Sequence, residues 1–135
     1  LSNVNPNGYY IGPTIFADVD NNMQIAREEI FGPVLSVIPF ETEKEAIKIA
    51  NDTEYGLTAG IWTKDLDRAN RVSRALQTGT VWINTYADSS IQVPYGGYNQ
   101  SGLGRERGMA VLEEYSQKKQ IVLKINNLNL IEREC

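Results

Sequence analysis

The sequence predicts an α/β fold, an open, twisted, largely parallel sheet with flanking helices. Three observations carry that prediction. Short β-branched apolar runs alternate with amphipathic stretches in the order strand, helix, strand, helix, strand, which implies βαβ crossovers. The amphipathic stretches start on residues with capping chemistry. Glycine and proline punctuate the joints between them.

Each element follows in order. Thr14-Ile15-Phe16-Ala17, after the turn Gly12-Pro13, reads as a short strand. Asp18 to Asn22 is polar and opens a short helix holding Met23, Ile25 and Ala26. Glu28-Glu29-Ile30-Phe31-Gly32-Pro33 must be irregular at Gly32-Pro33. Val34 to Ile38 is a continuous β-branched run, the pattern of a buried strand. Thr42 and Glu45 have capping-box spacing and open a helix over residues 42–51, with Ala46, Ile47, Ile49 and Ala50 as its apolar stripe. Gly56 ends the following turn, and Ala59 to Thr63 is the next strand. Asp65 caps a second helix with Leu66, Ala69, Val72 and Leu76 on one face. Gly79 stands where a helix C-terminal glycine belongs, and Thr80 to Asn84 is another strand. A glycine-rich loop runs from Pro94 to Gly108, then a short helix from Met109 to Tyr115. Lys119 to Ile125 alternates polar and apolar residues as a half-exposed strand does, and a polar tail follows.

Composition removes several function classes. The 135 residues suit one domain, and 41% apolar with 22% charged residues is an ordinary globular balance. The net charge of −4 argues against nucleic acid, since phosphate neutralisation needs clustered Lys and Arg. Arg68, Arg71 and Arg74 lie beside Asp65 and Asp67 and read as a solvated helix face. With no histidine, the commonest general base and metal ligand is missing. The single cysteine, Cys135, forms no internal disulfide and points to a reduced, cytoplasmic setting. No apolar run has the length of a membrane span, so no membrane partner is expected. The start at Leu1, in loop-like sequence, suggests a fragment.

Two motifs carry candidate chemistry. A carboxylate of the Glu28-Glu29 pair can accept both hydroxyls of a ribose, and the ring of Phe31 can pack on a flat heteroaromatic. The bland alternative is a solvated acidic pair with a core phenylalanine. Ser101-Gly102-Leu103-Gly104-Arg105 begins like a dinucleotide fingerprint, but its third position is Arg107 and no strand leads directly into it. Those glycines are better explained by left-handed backbone and close packing.

The order of blocks says more than any one of them. Gly8-Tyr9-Tyr10-Ile11-Gly12-Pro13-Thr14 precedes Arg27-Glu28-Glu29-Ile30-Phe31-Gly32-Pro33-Val34. Tyr55-Gly56-Leu57-Thr58-Ala59-Gly60, Gly79-Thr80-Val81-Trp82-Ile83-Asn84 and the run from Pro94 to Glu106 follow. This series resembles the C-terminal quarter of the aldehyde dehydrogenase superfamily. The resemblance implies that residues 1–116 form the C-terminal part of a catalytic domain, 117–126 an oligomerisation strand and 127–135 a polar tail. It implies NAD or NADP as cofactor, with Glu29 holding the nicotinamide ribose and Phe31 placing the ring. It implies Thr85, Ala87, Ser89 and Tyr95 as aldehyde contacts. In that family a cysteine thiolate and a glutamate base do the chemistry, and both lie upstream of this region. The resemblance therefore implies a fragment inactive by itself, partnered by the remainder of its parent chain and by further copies in a dimer or tetramer. The alternative is a non-catalytic binding or assembly module of the same descent.

Overall fold

A computed structural model describes residues 4–5 and 7–124 of the chain. The elements run β1 (Thr14–Phe16), α1 (Gln24–Arg27), β2 (Val34–Ser36), α2 (Glu43–Asn51), β3 (Tyr55–Gly56), β4 (Thr58–Ile61), α3 (Leu66–Ala75), β5 (Thr80–Ile83), β6 (Tyr98–Asn99) and α4 (Val111–Glu114). β1 pairs with β2 in parallel, and β4 with β5 in parallel, each pair bridged by a helical crossover. β3 and β6 form a small antiparallel pair. The fold is α/β. Its described strands form three two-stranded ladders and no continuous sheet.

The two longer helices begin as the sequence dictates. Thr42 Oγ1 accepts from the Glu45 N–H at 3.1 Å, and Glu45 Oε2 reaches back to accept from the Glu41 N–H at 2.9 Å. Asp65 Oδ1 accepts from the Arg68 N–H at 3.0 Å. The Glu43 carboxylate at the start of α2 accepts from Arg71 and Arg68 of α3, at 3.0 Å and 3.3 Å. Two of the three arginines read as a solvated face are thus exposed and also tie two helices. Asn51, at the end of α2, donates to Ala75 O at 2.8 Å and accepts from the Gln77 N–H at 2.9 Å. Those two bonds close the last turn of α3, whose carbonyls lack intrahelical partners.

Several expectations need correction. Gly79 is no helix cap: α3 ends at Leu76 in extended backbone, three residues earlier. A Cβ at Gly79 would overlap the Gly96 carbonyl oxygen and lie 2.8 Å from its carbon, so this glycine permits a close backbone approach. Leu66 opens α3 and is exposed, while Ala69 alone of the predicted stripe is buried. The Val34 to Ile38 run is not sealed on both faces: Val34 and Ser36 are half-buried and Leu35 is 58% exposed. A strand is buried on both faces only where layers cover both, and no element of the described chain covers Leu35. Residues 118–124 belong to no strand, because alternation makes a strand only where a ladder partner exists. The predicted position Ile125 and the tail after it lie outside the described residues.

The chain exposes 12069 Å², against about 7,100 Å² expected for a compact monomer of this size. Val19 and Ala69 are the buried apolar residues among those described. Ile15, Leu35, Trp62 and Ile91 are all more than half exposed. A groove of about 580 Å³ between α2, α3 and β4 is lined by Ile47, Ile61, Trp62, Val72 and Leu76.

Candidate functional site

The two acidic residues after α1 have different surroundings. Glu28 Oε1 accepts from Gln24 Nε2 at 2.9 Å. Among the described residues no side chain donates to the Glu29 carboxylate. Glu28 and Glu29 both line an open groove of about 450 Å³, together with Arg27, Tyr55, Leu57, Gln100 and Ser101. The groove therefore joins the segment after α1 to β3 and to the glycine-rich loop. Ser101 fixes that junction, since its Oγ accepts from the Gly56 N–H at 2.9 Å.

The backbone carrying Glu29 is held from outside. α1 has four residues and no side-chain N-cap, too short to be stable by itself. Arg27 Nη2 donates to Asp52 Oδ2 at 2.9 Å, and its Nη1 donates to the Asp52 carbonyl at 2.7 Å. Asn21 Nδ2 donates to Asp52 Oδ2 at 3.0 Å. The Arg27 hydrogen bond, with help from Asn21, holds the Asp52 carboxyl below its ordinary range, and the same contact raises Arg27.

Phe31 is two residues beyond Glu29 but does not line its groove. It lies in left-handed backbone (φ 54) and is 92% exposed. That backbone costs a side-chain-bearing residue about 1–2 kcal/mol, and here it coincides with a ring held out from the surface.

The aldehyde-contact candidates lie on the exposed loop after β5. Trp82 Nε1 donates to the Asp88 carbonyl at 2.6 Å, and the Trp82 and Tyr86 rings meet edge to face at 5.3 Å. Thr85 and Ala87 are exposed, Ala87 in left-handed backbone (φ 57). Ser89 and Tyr95 are brought together by Arg107. Arg107 Nη1 donates to Ser89 Oγ at 3.1 Å, and its guanidinium lies 5.2 Å from the Tyr95 ring centroid. Tyr95 and Glu106 exchange both backbone hydrogen bonds at 2.8 Å, which fixes the two segments in register. Gly102 (φ 126), Gly104 (φ 73) and Gly108 (φ 59) adopt the left-handed backbone that only glycine takes at little cost.

A second groove of about 460 Å³, lined by Tyr95 and Glu106, shares Leu57 and Ser101 with the Glu29 groove. Sequence reasoning missed Gln100 and Ser101 as groove walls, although both sit inside a quoted block. It also missed Arg107, noted only as the residue that spoils a glycine fingerprint. Among the described residues no cluster of acidic or cysteine side chains could hold a metal ion. No helix among them is long and apolar enough to cross a membrane.

Parallel strand pairs bridged by helices place the chain in the α/β class, and its solved neighbours narrow that class to dehydrogenases. The aldehyde dehydrogenase from Mycobacterium tuberculosis in complex with NAD+ is 50% identical with a TM-score of 0.80, over 90% of this chain and 25% of that one. The indole-3-acetaldehyde dehydrogenase of P. syringae, also solved with NAD+, is 49% identical with a TM-score of 0.80, over 86% of this chain and 23% of that one. Among curated proteins, the betaine aldehyde dehydrogenase of Brucella anthropi is 52% identical over 122 residues, 90% of this chain and 25% of the relative. That of Rhizobium etli is 53% identical over 120 residues, 89% of this chain and 25% of the relative. The aldehyde dehydrogenase family model matches residues 2–121. The chain belongs to the aldehyde dehydrogenase family, and it spans about a quarter of the length of these relatives.

Proposed function

We propose that this chain forms one wall of the cofactor and aldehyde clefts of an enzyme that oxidises an aldehyde to a carboxylic acid with NAD(P)+. The carboxylate of Glu29 accepts the ribose hydroxyls, and the ring of Phe31 packs against the nicotinamide. Thr85, Ala87, Ser89 and Tyr95 line the path of the aldehyde. The bound nucleotide supplies the hydride acceptor. The reactive thiolate and the base come from polypeptide outside residues 1–135, so the chain alone oxidises nothing. Residues 117–126 serve to join copies into a dimer or tetramer, and the setting is the reducing cytoplasm.

One observation carries this reading. Glu29 faces an open groove with its oxygens unclaimed by side chains of the described residues, while its neighbour Glu28 is engaged by Gln24. A carboxylate left in that condition fits two adjacent hydroxyl donors. The strained, outward-held Phe31 agrees with it, since backbone strain of this kind concentrates at ligand clamps. NAD+ in the solved neighbours makes NAD the first cofactor to try. The betaine aldehyde named in the curated relatives is one aldehyde to try.

The test is a chimera in which this chain replaces the matching 122 residues of the Brucella anthropi enzyme. The expected result is NAD-dependent aldehyde oxidation. Glu29→Gln in that chimera removes charge-assisted hydrogen bonds of about 1.5–3 kcal/mol, a loss of roughly tenfold or more in kcat/KM for NAD. An active chimera indifferent to Glu29→Gln refutes the assigned role. A chimera that folds and oligomerises without turnover favours the assembly module instead.

A further inference from the structure

Arg107 is a cation placed against two of the four residues proposed to touch the aldehyde. It occupies left-handed backbone (φ 64) directly before Gly108, also left-handed (φ 59). The antiparallel bridge between Tyr95 and Glu106 holds this turn against the loop. The guanidinium therefore lies over the Tyr95 ring at 5.2 Å and donates to Ser89 Oγ at 3.1 Å. Its nearest carboxylate is Glu106, 3.7 Å from Nε, a loose pair with both side chains partly exposed at 39% and 60%. So loose a pair offsets only part of the Arg107 charge. The exposed Asp88 precedes Ser89 and is the other acidic side chain of this loop.

We propose that Arg107 sets the charge preference of the aldehyde site, favouring aldehydes whose far end carries a carboxylate over those whose far end carries a quaternary ammonium. This inference rests on the aldehyde path assigned above. A quaternary ammonium is held by aromatic faces. Here the face of Tyr95 is already occupied by the chain's own cation, which would also repel a second one. A carboxylate meets the opposite situation, since a guanidinium presents several donors in a plane suited to it. The Ser89 hydroxyl, fixed by Arg107, adds a further donor toward the same group. The preference also separates this chain from an expectation based on its relatives' names, because betaine aldehyde bears a trimethylammonium group.

The chimera described above allows the test. Its kcat/KM is measured for succinic semialdehyde, betaine aldehyde and butyraldehyde, which carry negative, positive and no charge at similar size. The expected order places succinic semialdehyde well above betaine aldehyde. Arg107→Met should move the ratio of those two by roughly tenfold or more toward betaine aldehyde, with the KM for NAD little changed. Arg107→Lys should keep the sign of the preference. Glu106→Gln should move the ratio the other way, and gives a second reading should Arg107→Met fail to fold. A ratio unmoved by both Arg107→Met and Glu106→Gln, in a chimera whose turnover still depends on Glu29, overturns the inference and leaves the site reading intact. Turnover indifferent to Glu29→Gln overturns the site reading itself.

Discussion

Replacing Gly79 by alanine tests how closely β5 approaches the glycine-rich loop. The added Cβ overlaps the Gly96 carbonyl oxygen and sits 2.8 Å from its carbon and 3.3 Å from Gly97 Cα. Carbon atoms ordinarily approach to about 3.5–4.0 Å, and the overlap with the carbonyl oxygen is deeper still, so the two backbones must part by more than about an ångström. Both contacts are backbone, and no side chain can swing away to relieve them. Overpacking of this kind costs about 1–3 kcal/mol. With a urea slope of about 1–3 kcal/mol/M, the unfolding midpoint of the chain should fall by roughly 1 M. Trp82, three residues along in β5, reports the transition by fluorescence. Gly32→Ala is the control, because its Cβ would meet only Ile30, no closer than 3.8 Å. Surface changes without such a clash stay within about 0.5 kcal/mol. Equal midpoints for the two variants would refute the close approach. In the chimera, Gly79→Ala should also weaken aldehyde oxidation, since Gly96 adjoins Tyr95.

Other expectations follow from local geometry. Thr42→Ala removes the acceptor for the Glu45 N–H and should destabilise α2 by about 1 kcal/mol, whereas Thr42→Ser keeps the acceptor and should avoid most of that loss, as read by urea titration. The carboxyls of Asp52, Glu43 and Asp65 lie below their ordinary values of 3.8, 4.5 and 3.8, held by Arg27, by Arg71 and by the Arg68 backbone N–H respectively. A lowered folded value means stability that is complete above the unfolded carboxylate range and lost as pH falls through the folded values. The urea midpoint should therefore be flat near neutrality and decline below about pH 4. Asp52→Asn should remove part of that decline, and an unchanged pH profile would count against the Arg27 tie. The exposed apolar faces around Leu35 and Ile15 predict concentration-dependent self-association of the isolated chain. A single monomer species in sedimentation across a wide concentration range would contradict that.

What the sequence made legible was whatever is decided within a few residues. The caps at Thr42 and Asp65 are local chemistry, and both helices start where that chemistry says. The alternation that predicts parallel pairing is a pattern of order, and the β1–β2 and β4–β5 pairs follow it. Burial of Val34 to Ile38 was not legible, because a β-branched run states a preference for being covered and cannot supply the cover. The same applies to residues 118–124, whose alternation needs a ladder partner. Gly79 looked like a cap because glycine after a helix usually is one. Its actual neighbour, Gly96, is remote in sequence. At the site, Glu29 could be singled out from its block, but the difference between Glu28 and Glu29 depends on where Gln24 reaches. Arg107 was invisible as a site residue, since only the Tyr95–Glu106 bridge folds it back onto Ser89.

The clasp between Arg27 and Asp52 lets a one-turn helix borrow rigidity it does not have. The orientation of the Glu29 groove is then set partly by the far end of α2, in a different crossover. Fraying there, whether from a weakened Asn51 bond or a glycine placed late in the helix, would loosen the groove without altering any residue that lines it. Damage mapped onto this protein by distance from the groove alone would overlook the place where it is easiest to inflict.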